Sequence, residues 1–143
     1  MYFSGPVFVG SEADEVLVRR LSWSVGEHGY EQVYSPGAPE NDDQFTECKR
    51  AIDESNLVVI DTWSPWAWWE LGYAYARDLP IIQYDPRRTA LGTTPIKLMA
   101  LACCRTHSEL HDALGMLRDG IIAPELHRAG EAMIQVGVKY PCL

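Results

Sequence analysis

Positive charge is scarce in this chain. Its 143 residues carry 12 Lys and Arg against 20 Asp and Glu, a formal charge of -8 with His neutral. A protein that grips a nucleic-acid polymer by its phosphates needs a basic surface, so that partner class is excluded. A small nucleotide held at one local site is not. Cysteine is also sparse, and Cys48, Cys103, Cys104 and Cys142 show no CxxC spacing. His28, His107, His111 and His127 add no zinc pattern, so no metal site is expected. Adjacent Cys103 and Cys104 lie in an apolar run and read as buried thiols, which suits a reducing compartment. No apolar run approaches the roughly 20 residues of a membrane span. The opening MYFSGPVFVG has no basic segment ahead of its apolar stretch, unlike a secretory signal. The expectation is a soluble, cytoplasmic protein with no membrane partner. Neither a GxGxxG nor a P-loop occurs, so a dinucleotide or nucleoside triphosphate has no support and no cofactor is expected.

What is present fits one globular domain over residues 1–143, with 47% hydrophobic and 22% charged residues. Tyr2 to Val9 reads as a buried first strand. Ser11, followed by Glu12, Asp14 and Glu15, reads as the start of a helix that His28-Gly29 closes. Gln32 to Tyr34 is a short strand, stopped by a Pro/Gly loop. Asp42 or Asp43 then caps a helix carrying Phe45, Cys48 and Ile52 on one face. Leu57 to Ile60 is short and unbrokenly apolar, as a parallel strand covered on both faces should be. A helix from Ala67 to Arg77 and a strand from Pro80 to Tyr84 follow. Ile96 to Leu101 reads as helical, Cys103-Cys104 as a last strand, His107 to Leu117 as a helix and Glu125 to Val136 as the final one. Alternating strands and helices predict a three-layer α/β domain, flavodoxin-like or Rossmann-like, with a parallel sheet of about five strands. Ligands in such sheets bind beyond the carboxyl ends of the strands. That points to the loops Gly5 to Ser11, Asp61 to Glu70 and Asp85 to Lys97.

The signal concentrates in the segment LVVIDTWSPWAWWELGYAYARDLPII. Asp61 stands at the end of a buried strand, where it either serves a ligand or caps a turn. Glu70 stands early in the next helix, where it either serves a ligand or matches the helix dipole. A carboxylate in an apolar pocket can act as a general acid or as a nucleophile toward an oxocarbenium-like carbon. Four of the five Trp, at 63, 66, 68 and 69, crowd in beside Glu70 and could stack on a planar base. Ser4-Gly5-Pro6 is a weak cradle for a phosphate or ribose.

YFSGPVF, AIDESNLVVI and WWELGYAYARDLPII together resemble the nucleoside 2-deoxyribosyltransferase family. The resemblance spans residues 1–101 and includes IKLMA, similar to that family's Asn-Leu-Met segment. It implies cleavage of the N-glycosidic bond of a (deoxy)nucleoside. Glu70 matches the nucleophile that attacks the anomeric carbon, and Tyr2 the tyrosine that hydrogen-bonds near it. Asp61 joins them as a catalytic carboxylate. Gly5, Pro6, Trp63, Ser64, Trp66, Lys97 and Met99 would bind substrate. A nucleobase then accepts the sugar. The related deoxynucleoside 5'-monophosphate N-glycosidases use water instead. The family assembles as dimers or higher homo-oligomers with sites shared between subunits.

The chain departs from the family in three places. Cys48 stands where the transferases carry an Asp, leaving Asp61 or Glu47 to take that role. Ser64-Pro65-Trp66-Ala67 replaces an Asp-x-Gly-Thr stretch, and Lys97 replaces an Asn. Ser64 resembles a serine that the monophosphate glycosidases place near the 5'-phosphate, and a cation at Lys97 suits a phosphate better than an amide does. The expected partners are therefore a nucleoside or 5'-nucleotide and a free nucleobase. The competing expectations are hydrolysis and a nucleotide-binding module without turnover.

Overall fold

The structure is a computed structural model that describes residues 1–4, 23, 26–29, 43–60, 65–85 and 99–122. Four short apolar segments form its centre: β1 (Tyr2–Ser4), β2 (Val58–Ile60), β3 (Ile81–Tyr84) and β4 (Ala102–Cys104). They pair in the order β1-β2-β3-β4, every pair parallel. The register sets Tyr2 opposite Val58, Val58 opposite Ile81, and Gln83 opposite Cys103. Two further bonds lengthen the β3–β4 ladder. Leu101 N–H donates to the Ile81 carbonyl and Asp85 N–H to the Cys104 carbonyl, both at 2.8 Å.

Side chains alternate across a strand, so each strand feeds two faces. Tyr2, Val58, Ile60 and Ile81 pack with Cys48, Ile52, Leu71 and Ala74 from α1 (Gln44–Asp53) and α2 (Pro65–Ala76). Met1, Leu57, Val59, Ile82 and Tyr84 pack with Leu110, Ala113 and Leu114 of α3 (His107–Arg118) on the other face. Two helical layers around one parallel sheet is the expected three-layer α/β architecture. Double coverage explains why β2 is apolar without alternation. Each fully buried Leu or Ile here contributes about 1.5–3 kcal/mol.

Several boundaries differ from the sequence expectations. α2 begins at Pro65 rather than Ala67. Proline fits a first helical position, where its missing N–H would have no intrahelical partner. α2 ends in a turn through Arg77 and Asp78, and Asp78 takes the left-handed φ of 58° that Asp tolerates better than most residues. Phe45 is not on the buried face of α1: it is 50% exposed, and Cys48 and Ile52 face the core. Asp43 occupies the N-cap position of α1 without a side-chain cap bond. Ile96 to Leu101 is not helical to its end, since Met99 is helical but Leu101 already bonds to β3. The expected strand at Gln32–Tyr34 and the final helix at Glu125–Val136 lie outside the described residues. So do most of the helix expected from Ser11 and the part of the first strand beyond Ser4. No helix among the described residues is long and apolar enough to cross a membrane.

The end of that first helix is described, and it is tied to α3. Gly26 and Glu27 are helical, and Gly29 turns the chain at φ 85°, its N–H donating to the Gly26 carbonyl. His28 then lies on α3. Gly115 makes room for it, since a Cβ there would stand 3.3 Å from His28 Cε1. Arg118 Nη1 meets His28 Nδ1 at 3.3 Å, and a guanidinium only donates, so Nδ1 is the acceptor. The proton of neutral His28 therefore sits on Nε2, which donates to His111 Nδ1 at 3.3 Å. Burial first, then His111 and Arg118, lowers the His28 pKa; Glu27 and Asp119 oppose this. Here the unfolded chain takes up the proton more readily than the folded one. This contribution to stability is complete above the ordinary His pKa of 6.5 and is lost as pH falls below it toward the folded value. The urea midpoint is expected to drop more between about pH 7.5 and about pH 5.5 in the native protein than in His28→Gln. Equal drops would remove His28 from the account.

Candidate active site

α2 has apolar residues all round it, but its inward stripe is not wholly apolar. Ala67, Glu70, Leu71 and Ala74 follow helical spacing, and all four are buried. Glu70, in the second turn, is 0% exposed. It therefore does more than match the dipole of the first turn, which holds no acidic residue. A carboxylate taken out of water requires a donor. Tyr2 supplies one, its hydroxyl donating to Glu70 Oε1 at 2.5 Å. Tyr2 is itself 0% exposed. Burial above all, then the Glu70 charge and the hydrogen bonds to Cys48 and Glu70, pushes the Tyr2 phenol far above its ordinary pKa of 10.0. The phenol therefore stays protonated and remains a donor throughout the working pH range.

The packing of α1 on α2 holds this pair in place. Asp53 on α1 accepts from Tyr73 Oη at 2.8 Å and Lys49 Nζ at 3.0 Å, and Arg77 Nε stands 2.9 Å from it. These donors, Tyr73 foremost, hold the Asp53 carboxyl below its usual range. Trp69 closes the same helix pair, its ring 4.6 Å from Phe45 and 5.9 Å edge-on from Tyr73 between centroids. Trp69 thus buttresses the two helices, and Trp68 is 36% exposed. Glu47 is exposed while Cys48 beside it is buried, so Glu47 does not stand in for a carboxylate at position 48.

Tyr2 and Glu70 are therefore brought together, and Met99 packs partly buried against the same cluster as Tyr2. Trp66 lies in the first turn of α2, and its side chain is outside the described residues. Asp61, Gly5, Pro6, Trp63, Ser64 and Lys97 are also outside them. Sequence reasoning missed a second buried polar pair. Cys103 Sγ donates to Gln83 Oε1 at 2.8 Å, and Gln83 lies two residues beyond Ile81 on the same face of the sheet. The lone amide inside the apolar run IIQY was the available signal. Among the described residues no group of three or more His, Cys, Asp or Glu could hold a metal ion.

No protein-family model matches the sequence, and neither does any curated protein. The fold does have solved counterparts. One is a 2-deoxyribosyltransferase from the psychrotolerant bacterium Bacillus psychrosaccharolyticus, 17% identical, with a TM-score of 0.59 over 78% of this chain and 89% of that one. At that identity the likeness is one of fold.

Proposed function

We propose that this chain cleaves the N-glycosidic bond of a nucleoside or its 5'-monophosphate and passes the deoxyribosyl group to another nucleobase. The observation that carries the reading is the buried Glu70 carboxylate gripped by the Tyr2 hydroxyl. The fold shared with a 2-deoxyribosyltransferase supports it. In this reading a Glu70 carboxylate oxygen is the nucleophile. Its lone pair bonds to the anomeric carbon as the carbon–nitrogen bond breaks, and the base departs with that electron pair and takes up a proton. A ring nitrogen of a second base then attacks the same carbon and releases the carboxylate. The transition states are oxocarbenium-like, and two displacements retain configuration. Water as acceptor would give hydrolysis by the same first step. The working assembly in this reading is a homo-oligomer.

The test is a panel of nucleosides and monophosphates, incubated with and without a second free base and separated by chromatography. Base release with formation of the exchanged nucleoside is expected. Release without exchange would make the chain a hydrolase. Nucleotide binding by calorimetry with no release at high protein concentration would make it a binding module. A phosphate preference is expected as well: the monophosphate should turn over faster than the nucleoside, and Lys97→Ala should remove the difference. Equal rates in the native protein would refute the role of Lys97.

A further inference from the structure

We propose that Gln83 is a specificity-determining residue that donates to the departing base beside its glycosidic nitrogen; this rests on the reading of Glu70 as the nucleophile. Gln83 is the penultimate residue of β3, at the carboxyl end of the sheet, where ligands of such folds bind. The register sets it in one row with Ser4, Ile60 and Cys103. Side chains alternate along a strand, so this row shares the α2 face of the sheet with Tyr2 and Ile81 and lies two residues nearer the carboxyl end. α2 packs on both β2 and β3, and its inward stripe brings Glu70 to that same face.

Gln83 is 3% exposed, the one side-chain amide in the strand IIQY. An amide taken out of water needs hydrogen-bond partners, and the Cys103 thiol donates to its Oε1 at 2.8 Å. That bond settles which end of the amide is which. Oε1 is held toward β4, so Nε2 is turned away from β4. On the other side of β3 stand β2 and then β1, whose Tyr2 holds Glu70. An amide nitrogen only donates, so the substrate group that suits it is an acceptor. A purine offers N3 and a pyrimidine O2, each two bonds from the glycosidic nitrogen and so close to the carbon that Glu70 attacks. That acceptor gains charge as the base leaves with the electron pair. Donation to it is therefore stronger in the transition state than in the bound substrate, and it speeds cleavage. The sugar ring oxygen becomes electron-poor in the same step and is a worsening acceptor, which favours the base as the group read.

The test pairs each substrate with an analogue that lacks the acceptor: deoxyadenosine with 3-deazadeoxyadenosine, and deoxyuridine with 2-thiodeoxyuridine, whose sulfur accepts weakly. Gln83→Met keeps the size of the side chain and removes the donor. The ratio of kcat/KM for substrate over analogue is expected to be about tenfold larger in the native protein than in Gln83→Met, the worth of one hydrogen bond. The comparison of ratios cancels the intrinsic lability of each substrate. It also separates base reading from packing, because a merely structural Gln83 would slow substrate and analogue alike. Equal ratios in the two proteins would overturn the proposal. A second measurement needs no turnover. The 15N–1H resonances of the Gln83 side-chain amide, assigned by their loss in Gln83→Asn, are expected to shift on saturation with deoxyadenosine or deoxyuridine and to shift less with the matching analogue. Equal shifts with substrate and analogue, or none, would overturn it as well. If the native protein releases no base from any substrate, the nucleophile reading fails, and the amide resonances still decide whether Gln83 reads the base.

Discussion

Glu70→Gln is expected to abolish base release, by about 10⁴-fold or more, while the circular dichroism spectrum stays native. The amide matches the carboxylate in size, so the core should hold. It is neutral, however, and is a poor nucleophile toward an anomeric carbon. Losses of this order follow removal of a nucleophile that forms a covalent intermediate. The variant also exchanges a charge-assisted hydrogen bond from Tyr2 for a neutral one. Its stability should change little, because it also relieves the burial of a charge. Retention of even a tenth of the native rate would remove Glu70 from the mechanism. Added formate or azide offers a second check: an external nucleophile that restores base release in Glu70→Ala would place the missing group at the anomeric carbon.

The second large effect is on both stability and rate. Tyr2→Phe keeps the ring in its buried place and removes the donor to Glu70. The buried carboxylate then loses the hydrogen bond from Tyr2, which costs about 1.5–3 kcal/mol where the acceptor is charged. The urea midpoint should fall accordingly, and kcat by about 10²-fold, because the carboxylate is no longer held for attack. A Tyr2→Phe protein as stable as the native one at neutral pH would mean that Glu70 is uncharged or otherwise held.

Much of this was legible in the sequence. The strands around Val59 and Ile82 and the helix over Leu110 and Leu114 show their burial as apolar runs or periodic spacing. The pairing of Tyr2 with Glu70 was readable through family resemblance rather than periodicity. The spacing of α2 also carries the burial of Glu70, since Ala67, Leu71 and Ala74 flank it on one helical face. The capping box at α3 was equally available. Thr106 accepts from Glu109 N–H at 3.2 Å, and Glu109 accepts from Thr106 N–H at 3.3 Å, the T-x-x-E pattern in plain view. Other features were not legible. Whether Trp69 walls a ligand or braces two helices depends on where Phe45 and Tyr73 stand in space. Placement of that kind leaves no periodic trace.

The parallel order of the sheet bears on how the protein is made. β2, β3 and β4 are near neighbours along the chain, but Tyr2 meets Glu70 at a sequence separation of 68. Closing a loop of that size carries an entropic cost that local contacts do not, and it must be met before the contacts it permits repay it. The helices and the later strands can form while β1 is still undocked. The phenol–carboxylate contact is then among the last to assemble, so it reports the completed fold rather than its secondary structure.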